Sequence, residues 1–341
     1  MRASHLTITI LTAGLLASCV AAQAQEPFYK GKTITILIGG TAGGGVDNPA
    51  RLVGRYLGKH IAGNPVINPQ LMPGAGGIRV VDHLYSVAAR DGTVIGALPT
   101  GPLLEPLIGA RKATYSMTEF TAIGAMSKDV SVCVAWGESK FKTMEGARAS
   151  QMIVAGTGAG STPDIYPVVL NEALGTKFKV VTGYLGTQET VMAIERKEAD
   201  GRCGWGWASL KATKPDWVRD KKLNFLAQMG LSKSREMPDV PLVLDLAKNE
   251  ADRQMLTLLF TPLDINRPFL APPNLPPERA AELRKAFMDA MNDEGMKAEI
   301  RQITGEEAEP TDGANMQKLL GNVYATPPAI VERLRAVLAK T

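Results

Sequence analysis

Two clusters of glycine occupy positions where a protein backbone can bind an anion. The first spans residues 39–47 and has the sequence Gly-Gly-Thr-Ala-Gly-Gly-Gly-Val-Asp, and the second spans residues 156–162 with the sequence Gly-Thr-Gly-Ala-Gly-Ser-Thr. Each cluster follows a short apolar run that predicts a strand and precedes a stretch that predicts a helix. Glycine loops expose backbone N–H groups, and the helix N-terminus behind each loop adds partial positive charge. The two loops therefore predict backbone sites for phosphate or carboxylate.

Nucleotide-binding motifs do not explain the two loops. A P-loop requires Lys followed by Ser or Thr after the last glycine, whereas Val46 and Asp47 follow Gly45. The dinucleotide fingerprint has the spacing Gly-x-Gly-x-x-Gly, whereas the second cluster has Gly-x-Gly-x-Gly. Tight turns that let a helix pack close to a strand are the alternative interpretation. Two such loops, one in each of two predicted lobes, favour a shared ligand cleft.

Catalytic and metal-binding patterns are absent from the sequence. It contains no Gly-x-Ser-x-Gly elbow, no His-Glu-x-x-His motif and no suggestion of a Cys-His pair. His60 and His83 are isolated histidines, and Cys133 and Cys203 lack the spacing of a zinc site. We therefore predict a protein that is not an enzyme, with no catalytic residue, metal or cofactor. A secreted hydrolase or transferase using the same cleft is the alternative, against which the missing nucleophile–base pair argues.

Residues 1–24 have the features of a secretory signal peptide. Arg2 supplies the positive charge, residues 6–17 form an apolar stretch, and Ala22-Gln23-Ala24 is a small-x-small cleavage site. Leu16-Ala17-Ser18-Cys19 also fits a bacterial lipobox, in which Cys19 would be lipidated and anchored. Both kinds of processing place the mature chain outside the cytoplasm, and we expect it in the periplasm.

Composition and charge are those of an ordinary globular protein. Of the 341 residues, 45% are hydrophobic and 21% are charged. The formal charge is +4 and loses one positive charge with Arg2, which is too small a surplus to predict binding to nucleic acid or to a membrane surface. Cys133 and Cys203 lie in apolar strand-like runs, which favours buried free thiols, although an oxidising compartment permits a disulfide.

Predicted strands and helices alternate in two series, which indicates two lobes, each with a mostly parallel sheet covered on both faces. Residues 260–269 are predicted to be extended and punctuated by proline, and the last 65 or so residues to be mostly helical. The predicted strands cover residues 33–38, 66–68, 94–98, 121–126, 130–136, 152–155, 179–182, 202–205 and 224–228. The predicted helices cover residues 49–60, 78–89, 164–174, 188–197, 276–292, 294–303, 313–324 and 327–339.

A series of short motifs resembles one known family. Residues 41–47 are similar to the Pro-Ala-Gly-Gly-Gly-Thr-Asp loop of the substrate-binding proteins of tripartite tricarboxylate transporters, the Bug or TctC-like family. Further segments resemble that family's motifs in the same order along essentially the whole mature chain. These segments are residues 73–77, 89–93, 158–161, 184–187, 237–241 and 271–276.

This resemblance implies an α/β fold of the two-lobed periplasmic-binding-protein type (type II, Venus-flytrap). We expect lobe 1 to comprise residues 25–125 plus 264–341, and lobe 2 residues 126–263. The implied function is to capture a small organic carboxylate between the lobes and deliver it to the membrane subunits of a transporter. We expect a monomer with no nucleic-acid partner. A subunit that presents its ligand to a signalling partner is the alternative.

Three departures from the family pattern suggest a different ligand from simple di- and tricarboxylates. Gly204 stands where the family has an acidic residue, Asp164 where it often has His, and Leu185 where it has Lys. Trp205 or Trp207 can line the pocket and stack on a ligand, or pack in the core of the lobe. The candidate ligand-binding residues are Thr41, Ala42, Gly43, Gly44, Gly45, Gly158, Ala159, Gly160, Ser161, Thr162, Tyr184, Gly186, Thr187 and Trp205.

Overall fold

The computed structural model describes residues 26–43, 45–109, 113–158, 161–304 and 307–340. The strands in these ranges are β1 (Thr33–Ile38), β2 (Val66–Leu71), β3 (Val94–Ala97), β4 (Thr121–Ser127), β5 (Ser131–Trp136), β6 (Met152–Ala155), β7 (Phe178–Val181), β8 (Gly201–Gly206), β9 (Leu223–Met229), β10 (Asn266–Ala271) and β11 (Thr311–Asp312). The helices are α1 (Asp47–Leu57), α2 (Ile78–Ser86), α3 (Gly101–Ile108), α4 (Met144–Ala149), α5 (Thr162–Leu174), α6 (Thr187–Glu195), α7 (Trp207–Thr213), α8 (Pro215–Arg219), α9 (Glu250–Asp264), α10 (Pro277–Asn292), α11 (Glu294–Thr304), α12 (Gly313–Tyr324) and α13 (Pro328–Leu338).

The strands form two sheets, each covered by helices. The first sheet has the order β11-β4-β10-β3-β1-β2, and the second has the order β7-β6-β8-β5-β9. The first therefore takes strands from both ends of the chain and the second from its middle. We call the parts built on these sheets lobe 1 and lobe 2. The two-lobed α/β architecture predicted from the sequence is confirmed.

The prediction that the sheets are mostly parallel is wrong. β1 pairs in parallel with β2 and β3, and β6 with β7 and β8, but β10 is antiparallel to β3 and β4, and β5 is antiparallel to β8 and β9. The reason is that β5 and β10 each enter their sheet directly from the other lobe. A parallel pairing would require a crossover connection to the opposite edge of the sheet.

The apolar pattern of the first helix shows why the local predictions succeed. α1 and the single turn that follows it occupy the predicted stretch, and α1 buries Ala50, Leu52, Val53, Tyr56 and Leu57 on one side. These positions recur at the spacing of an amphipathic helix, so burying them against a sheet orders the segment.

Helix α9 contradicts the prediction of an extended chain from residue 260. Pro262 suggested a break, yet the helix continues to Asp264 with Pro262 inside its last turn. Asn249 caps its start by accepting a hydrogen bond from the Asp252 N–H at 2.9 Å. Packing of Leu258 and Phe260 in the core outweighs the loss of one helical hydrogen bond at the proline.

The last helix does not pack on the sheet of lobe 1. α13 lies against α5 and α9 of lobe 2 and against α3 of lobe 1, and Leu334 and Val337 are buried among them. It therefore connects the two lobes, although the sequence grouped it with lobe 1 alone. None of the helices in the described ranges is long and apolar enough to cross a membrane.

Cys133 and Cys203 form a disulfide rather than the free thiols favoured from sequence. Cys133 on β5 and Cys203 on β8 are fully buried and bonded to each other, across a sequence separation of 70 residues. Because β5 and β8 are neighbours in the second sheet, the bond joins adjacent strands. Their adjacency is a property of the sheet order, which the sequence did not indicate.

Candidate functional site

The topology brings the carboxyl ends of strands from both lobes to one place. β4 is parallel to β1 and β3, because both β4 and β3 are antiparallel to β10. The chain leaves the end of β4 and enters β5 after residues 128–130. β5 begins at the edge of the second sheet where β6 and β8 end. The loops that follow β1 and β6 therefore lie at the facing edges of the two lobes, which is where ligands bind in α/β sheets.

Two adjacent segments connect the lobes at this edge. One is residues 128–130, and the other is Ile265, between α9 and β10. The Asp129 N–H donates a hydrogen bond to the Leu263 carbonyl at 2.7 Å, and Lys128 Nζ lies 3.3 Å from Asp264 Oδ2. Short paired connections of this kind permit rotation of one lobe against the other, as in a hinge.

The first glycine loop is held by its own carboxylate. Asp47, at the start of α1, is almost fully buried and accepts a hydrogen bond from the Gly43 N–H at 2.8 Å. Its other oxygen accepts a hydrogen bond from Arg51 Nε at 2.6 Å. The Gly43 N–H is thus occupied within the loop. Thr41, Ala42, Gly43 and Gly45 are nevertheless exposed at the edge of lobe 1.

The second glycine loop is held in the same way by Asp164, in the first turn of α5. Asp164 Oδ2 accepts hydrogen bonds from the N–H groups of Thr157 and Gly158, at 2.7 and 2.9 Å, and from the Ser161 hydroxyl at 2.7 Å. Burial alone would raise the pKa of Asp164, but the hydrogen bonds from Ser161, Gly158, Thr182 and Thr157 outweigh it, so its pKa lies below the ordinary value.

These carboxylates change what the glycines contribute. The sequence predicted that the N–H groups of Gly43 and Gly158 point at a ligand, whereas each donates to a carboxylate of the loop's own helix. Ser161, Thr162 and Gly45 still lie at the facing edges. In the first turn of α5 only Thr162 keeps an N–H without a partner inside the helix, because Pro163 has no N–H and the Asp164 N–H donates to the Ser161 carbonyl at 3.0 Å. Gly44, Ala159 and Gly160 fall outside the described residues.

A third helix N-terminus lies beside the second loop. α6 begins at Thr187 after Gly186, whose backbone is extended, and a side chain added at Gly186 would meet no atom within 4 Å. Tyr184 is half-buried, and its hydroxyl donates to Glu198 Oε2 at 3.4 Å. Gly186 and Thr187 are therefore open at this edge, while the Tyr184 hydroxyl already has a partner.

The two tryptophans that follow Gly204 have different surroundings. Trp205 is 1% exposed and packs in the core of lobe 2, with its ring centroid 6.3 Å from that of Trp217. The structure therefore does not place Trp205, the predicted ligand contact, on the cleft surface. Trp207, in contrast, lines a cavity and donates from Nε1 to Glu236 at 3.1 Å.

Gly204 itself cannot carry the acidic side chain typical of the resembling family. Its φ of +75° lies in the left-handed region, and a Cβ would stand 2.5 Å from the Thr162 carbonyl oxygen. The Thr162 hydroxyl donates to the Gly204 carbonyl at 3.0 Å. The first turn of α5 thus lies directly against β8, and this close approach needs a glycine.

A cavity of about 510 Å³ lies between the lobes beside the hinge. Its wall comes from α1, from residues 126–130, from α7, from residues 232–236 after β9, from the residues on either side of Ile265, and from residues 300 and 307–309. Within the described residues it includes no glycine of either loop. The sequence did not indicate this cavity, because its lining residues are scattered along the chain and no motif marks them. Charged side chains of both signs line it, including Lys128, Lys211, Arg267, Glu236 and Asp264.

The described residues contain no group of three or more His, Cys, Asp or Glu side chains arranged to hold a metal ion. The chemistry that the site offers is thus hydrogen bonding by backbone and hydroxyl groups at helix N-termini. Such groups bind anions.

Comparison with known proteins shows the family to which the chain belongs. The profile of the family described as "Tripartite tricarboxylate transporter family receptor" (TctC) matches residues 50–335. The UPF0065 protein in the gbd 5′ region of Cupriavidus necator is 25% identical over 294 residues, which cover 84% of this chain and 82% of that protein.

Solved structures share the fold at lower sequence identity. A TctC solute-binding protein from Polaromonas, solved without ligand, superposes with a TM-score of 0.71 at 18% identity, covering 92% of this chain and 100% of that one. A protein from R. palustris, solved with adipate, superposes with a TM-score of 0.55 at 15% identity, covering 90% of this chain and 97% of that one.

Proposed function

The chain belongs to the tripartite tricarboxylate transporter receptor family, and from this premise we propose that it captures a small organic carboxylate between its lobes and delivers it to the membrane subunits of a transporter. The family and the fold are those of solute-binding proteins rather than enzymes. One observation carries the proposal: helix N-termini preceded by glycine loops lie at the facing edges of both lobes.

The physical argument concerns charge. Each helix N-terminus carries roughly half a positive charge and at least one N–H group without a partner inside the helix. α1 supplies one such end from lobe 1, and α5 and α6 supply two from lobe 2. A ligand with separated carboxylates can contact both lobes at once. Closure about residues 128–130 and Ile265 would then bury it, as in other two-lobed binding proteins.

We further propose the lobe boundaries expected from sequence, with α13 as a helix that both lobes share. Lobe 1 then comprises residues 25–125 plus 264–341, and lobe 2 residues 126–263. Residues 1–24 act as an export signal that leads to the periplasm, with a lipid anchor at Cys19 as the alternative mode of processing. The adipate held by the R. palustris protein supports a dicarboxylate as the ligand class.

Thermal unfolding of the mature protein tests the proposed ligand class. We expect one or more members of a panel of mono-, di-, tri- and aromatic carboxylates to raise the melting temperature. A ligand at a hundredfold excess over its Kd stabilises the native state by about 2.7 kcal/mol. The corresponding amides and neutral sugars should have no effect. Stabilisation by an amine or a neutral sugar, with none by any carboxylate, would contradict the proposal.

Paired glycine variants test the position of the site. Side chains added at Gly45 and Gly186 meet no atom within 4 Å, and neither backbone lies in the left-handed region, so both glycines accept substitution without strain. Gly45→Asp and Gly186→Asp should weaken carboxylate binding by tenfold or more, because each introduces a negative charge. Gly45→Ala and Gly186→Ala are the matched controls. Their affinity for the carboxylate should be closer to that of the wild type than the affinity of the aspartate variants is. Equal affinity in all four variants would remove both loops from the site.

A further inference from the structure

Lobe 2 buries an arginine close to the proposed site. Arg202 lies on β8, next to Gly201, which pairs in parallel with Val154 on β6. It therefore stands at the level of Ala155, the last residue of β6 before the second glycine loop. Only 6% of Arg202 is exposed, although a charged side chain is rarely buried unless it is paired.

The neighbours of the guanidinium lie toward the cleft edge of lobe 2. Nη1 donates to the hydroxyl of Thr190, in the first turn of α6, at 2.7 Å. The guanidinium carbon lies 5.2 Å from the ring centroid of Trp205, which is one residue before the end of β8. Asp164, in the first turn of α5, also acts on it electrostatically. The guanidinium thus lies beneath the N-terminal turns of α5 and α6.

This guanidinium forms no ion pair with any carboxylate of the described residues. No carboxylate lies within ion-pair distance of it, and its Nε is buried without a hydrogen-bond partner. Nη2 also makes no hydrogen bond. Unlike Nε, it is not sealed from solvent. Asp164, the nearby acid, directs its Oδ2 to the loop instead. Burial lowers the pKa of Arg202 to about 10, so it still carries its charge at neutral pH.

A buried charge without a partner is costly, whereas the same charge paired with an anion is not. Two helix N-termini beside it increase the positive potential further. Arg148, also in lobe 2, shows the contrast. It donates to the carbonyls of Leu174 and Leu246, at 3.1 and 3.2 Å. Glu145 lies 3.7 Å away, so this guanidinium has both hydrogen-bond acceptors and a carboxylate partner within the protein.

We propose that Arg202 is the charged anchor of lobe 2, and that it pairs with one carboxylate of the bound ligand through the N–H groups of Nη2. This inference rests on the proposed function and sharpens it, because it makes the site selective for a full negative charge at the lobe 2 end of the ligand. A neutral amide at that end can accept a hydrogen bond but cannot neutralise the guanidinium.

Calorimetric titration of Arg202→Met with adipate and with adipate monoamide tests the anchor. If the wild type binds malate more tightly than adipate, malate and its monoamide take their place. Charge-assisted hydrogen bonds of this kind predict roughly 10- to 100-fold weaker binding of the dicarboxylate. The preference of the wild type for the diacid over the monoamide should also disappear. Arg202→Lys, which keeps the charge, should retain that preference and serves as a second variant if Arg202→Met does not fold.

Arg148→Met is the matched control. Losing its carbonyl contacts should lower the melting temperature of the ligand-free protein and leave adipate affinity unchanged. Arg202→Met should raise the melting temperature of the ligand-free protein and weaken adipate binding, because methionine removes a buried, unpaired charge. If Arg202→Met instead loses stability but keeps the affinity and selectivity of the wild type, Arg202 has a structural role and the inference is wrong. If the wild type binds no carboxylate of the panel, the proposed function fails first and the inference fails with it.

Discussion

Two aspartates decide the local shape of the site. Asp47 and Asp164 each lie in the first turn of a helix behind a glycine loop and accept hydrogen bonds from the backbone of that loop. The glycines allow the loops to turn, and the carboxylates hold them in one conformation. A negative charge in the first helical turn is also favourable to the helix itself. The ligand therefore meets loops that are already ordered, which reduces the entropy lost on binding.

Asp164→Ala should destabilise the protein at neutral pH by about 2–4 kcal/mol, because the N–H groups of Thr157 and Gly158 would lose their acceptor. The pKa of Asp164 is lowered in the folded state, so its contribution to stability is complete above the pKa of the unfolded chain, near 4, and is lost as the pH falls through the folded value. Urea unfolding from pH 7 to pH 3 measures this.

The difference in the free energy of unfolding between the wild type and Asp164→Ala should stay constant from pH 7 to about pH 5 and become smaller below pH 4. Asp245→Ala is the matched control. It should have the same free energy of unfolding as the wild type at every pH, because Asp245 is an exposed side chain of the same lobe. A gap that widens toward acid pH would contradict the hydrogen-bonding scheme at Asp164.

At the scale of elements, β8 is the strand on which lobe 2 depends. It pairs with β6 and β5, it carries Arg202, and its Gly204 lets α5 approach closely. Cys203 ties it to Cys133 on β5. The disulfide therefore restrains the strand that also holds the proposed anchor.

Reduction of the disulfide should lower the free energy of unfolding by about 2–4 kcal/mol, because a closed loop of this length restricts the unfolded chain. Urea unfolding with and without a thiol reductant measures the difference. A Cys133→Ala/Cys203→Ala variant should be as unstable as the reduced protein and insensitive to reductant. Identical transitions for the wild type in both conditions would show that the bond does not contribute.

At the scale of the whole molecule, α13 connects the lobes away from the hinge. Arg335 Nε donates to the Leu107 carbonyl of α3 at 2.6 Å, and α3 follows β3 of the first sheet. Arg333 Nη1 lies 2.8 Å from Asp252 Oδ1 on α9, and Arg333 also bonds Glu172 on α5. One helix thus carries ion pairs to lobe 2 and a backbone contact to lobe 1.

Arg333→Ala should destabilise the protein by about 2–4 kcal/mol, because the side chain of Asp252 is buried and would lose its cationic partner. Thermal or urea unfolding checks this. Glu332→Ala, on the same helix, removes an exposed ion pair with Arg335 and should change stability by less than about 1 kcal/mol. Equal effects of the two substitutions would mean that Asp252 does not depend on Arg333.

Local pattern determined much of this protein from sequence alone. Strand β1, helix α1 and the helices near the C-terminus follow apolar periodicities that hold without long-range information. The motifs around Gly43, Gly158 and Gly186 also indicated the family and its two-lobed fold, because glycine loops between a strand and a helix are recognisable in order along the chain.

Only the tertiary structure decided the features that depend on which segments meet. The antiparallel entry of β5 and β10, the Cys133–Cys203 bond and the position of α13 across both lobes follow from the order of strands and from packing, not from any local pattern. The same holds for the site. Sequence showed where N–H groups gather, but burial and charge decided that Asp47 and Asp164 occupy some of them, that Trp205 lies in the core, and that Arg202 forms no ion pair with a described carboxylate. Many of these interactions join residues that are far apart in the chain. Hydrogen bonding and burial depend on which residues are close in space, and a local sequence pattern does not contain that information.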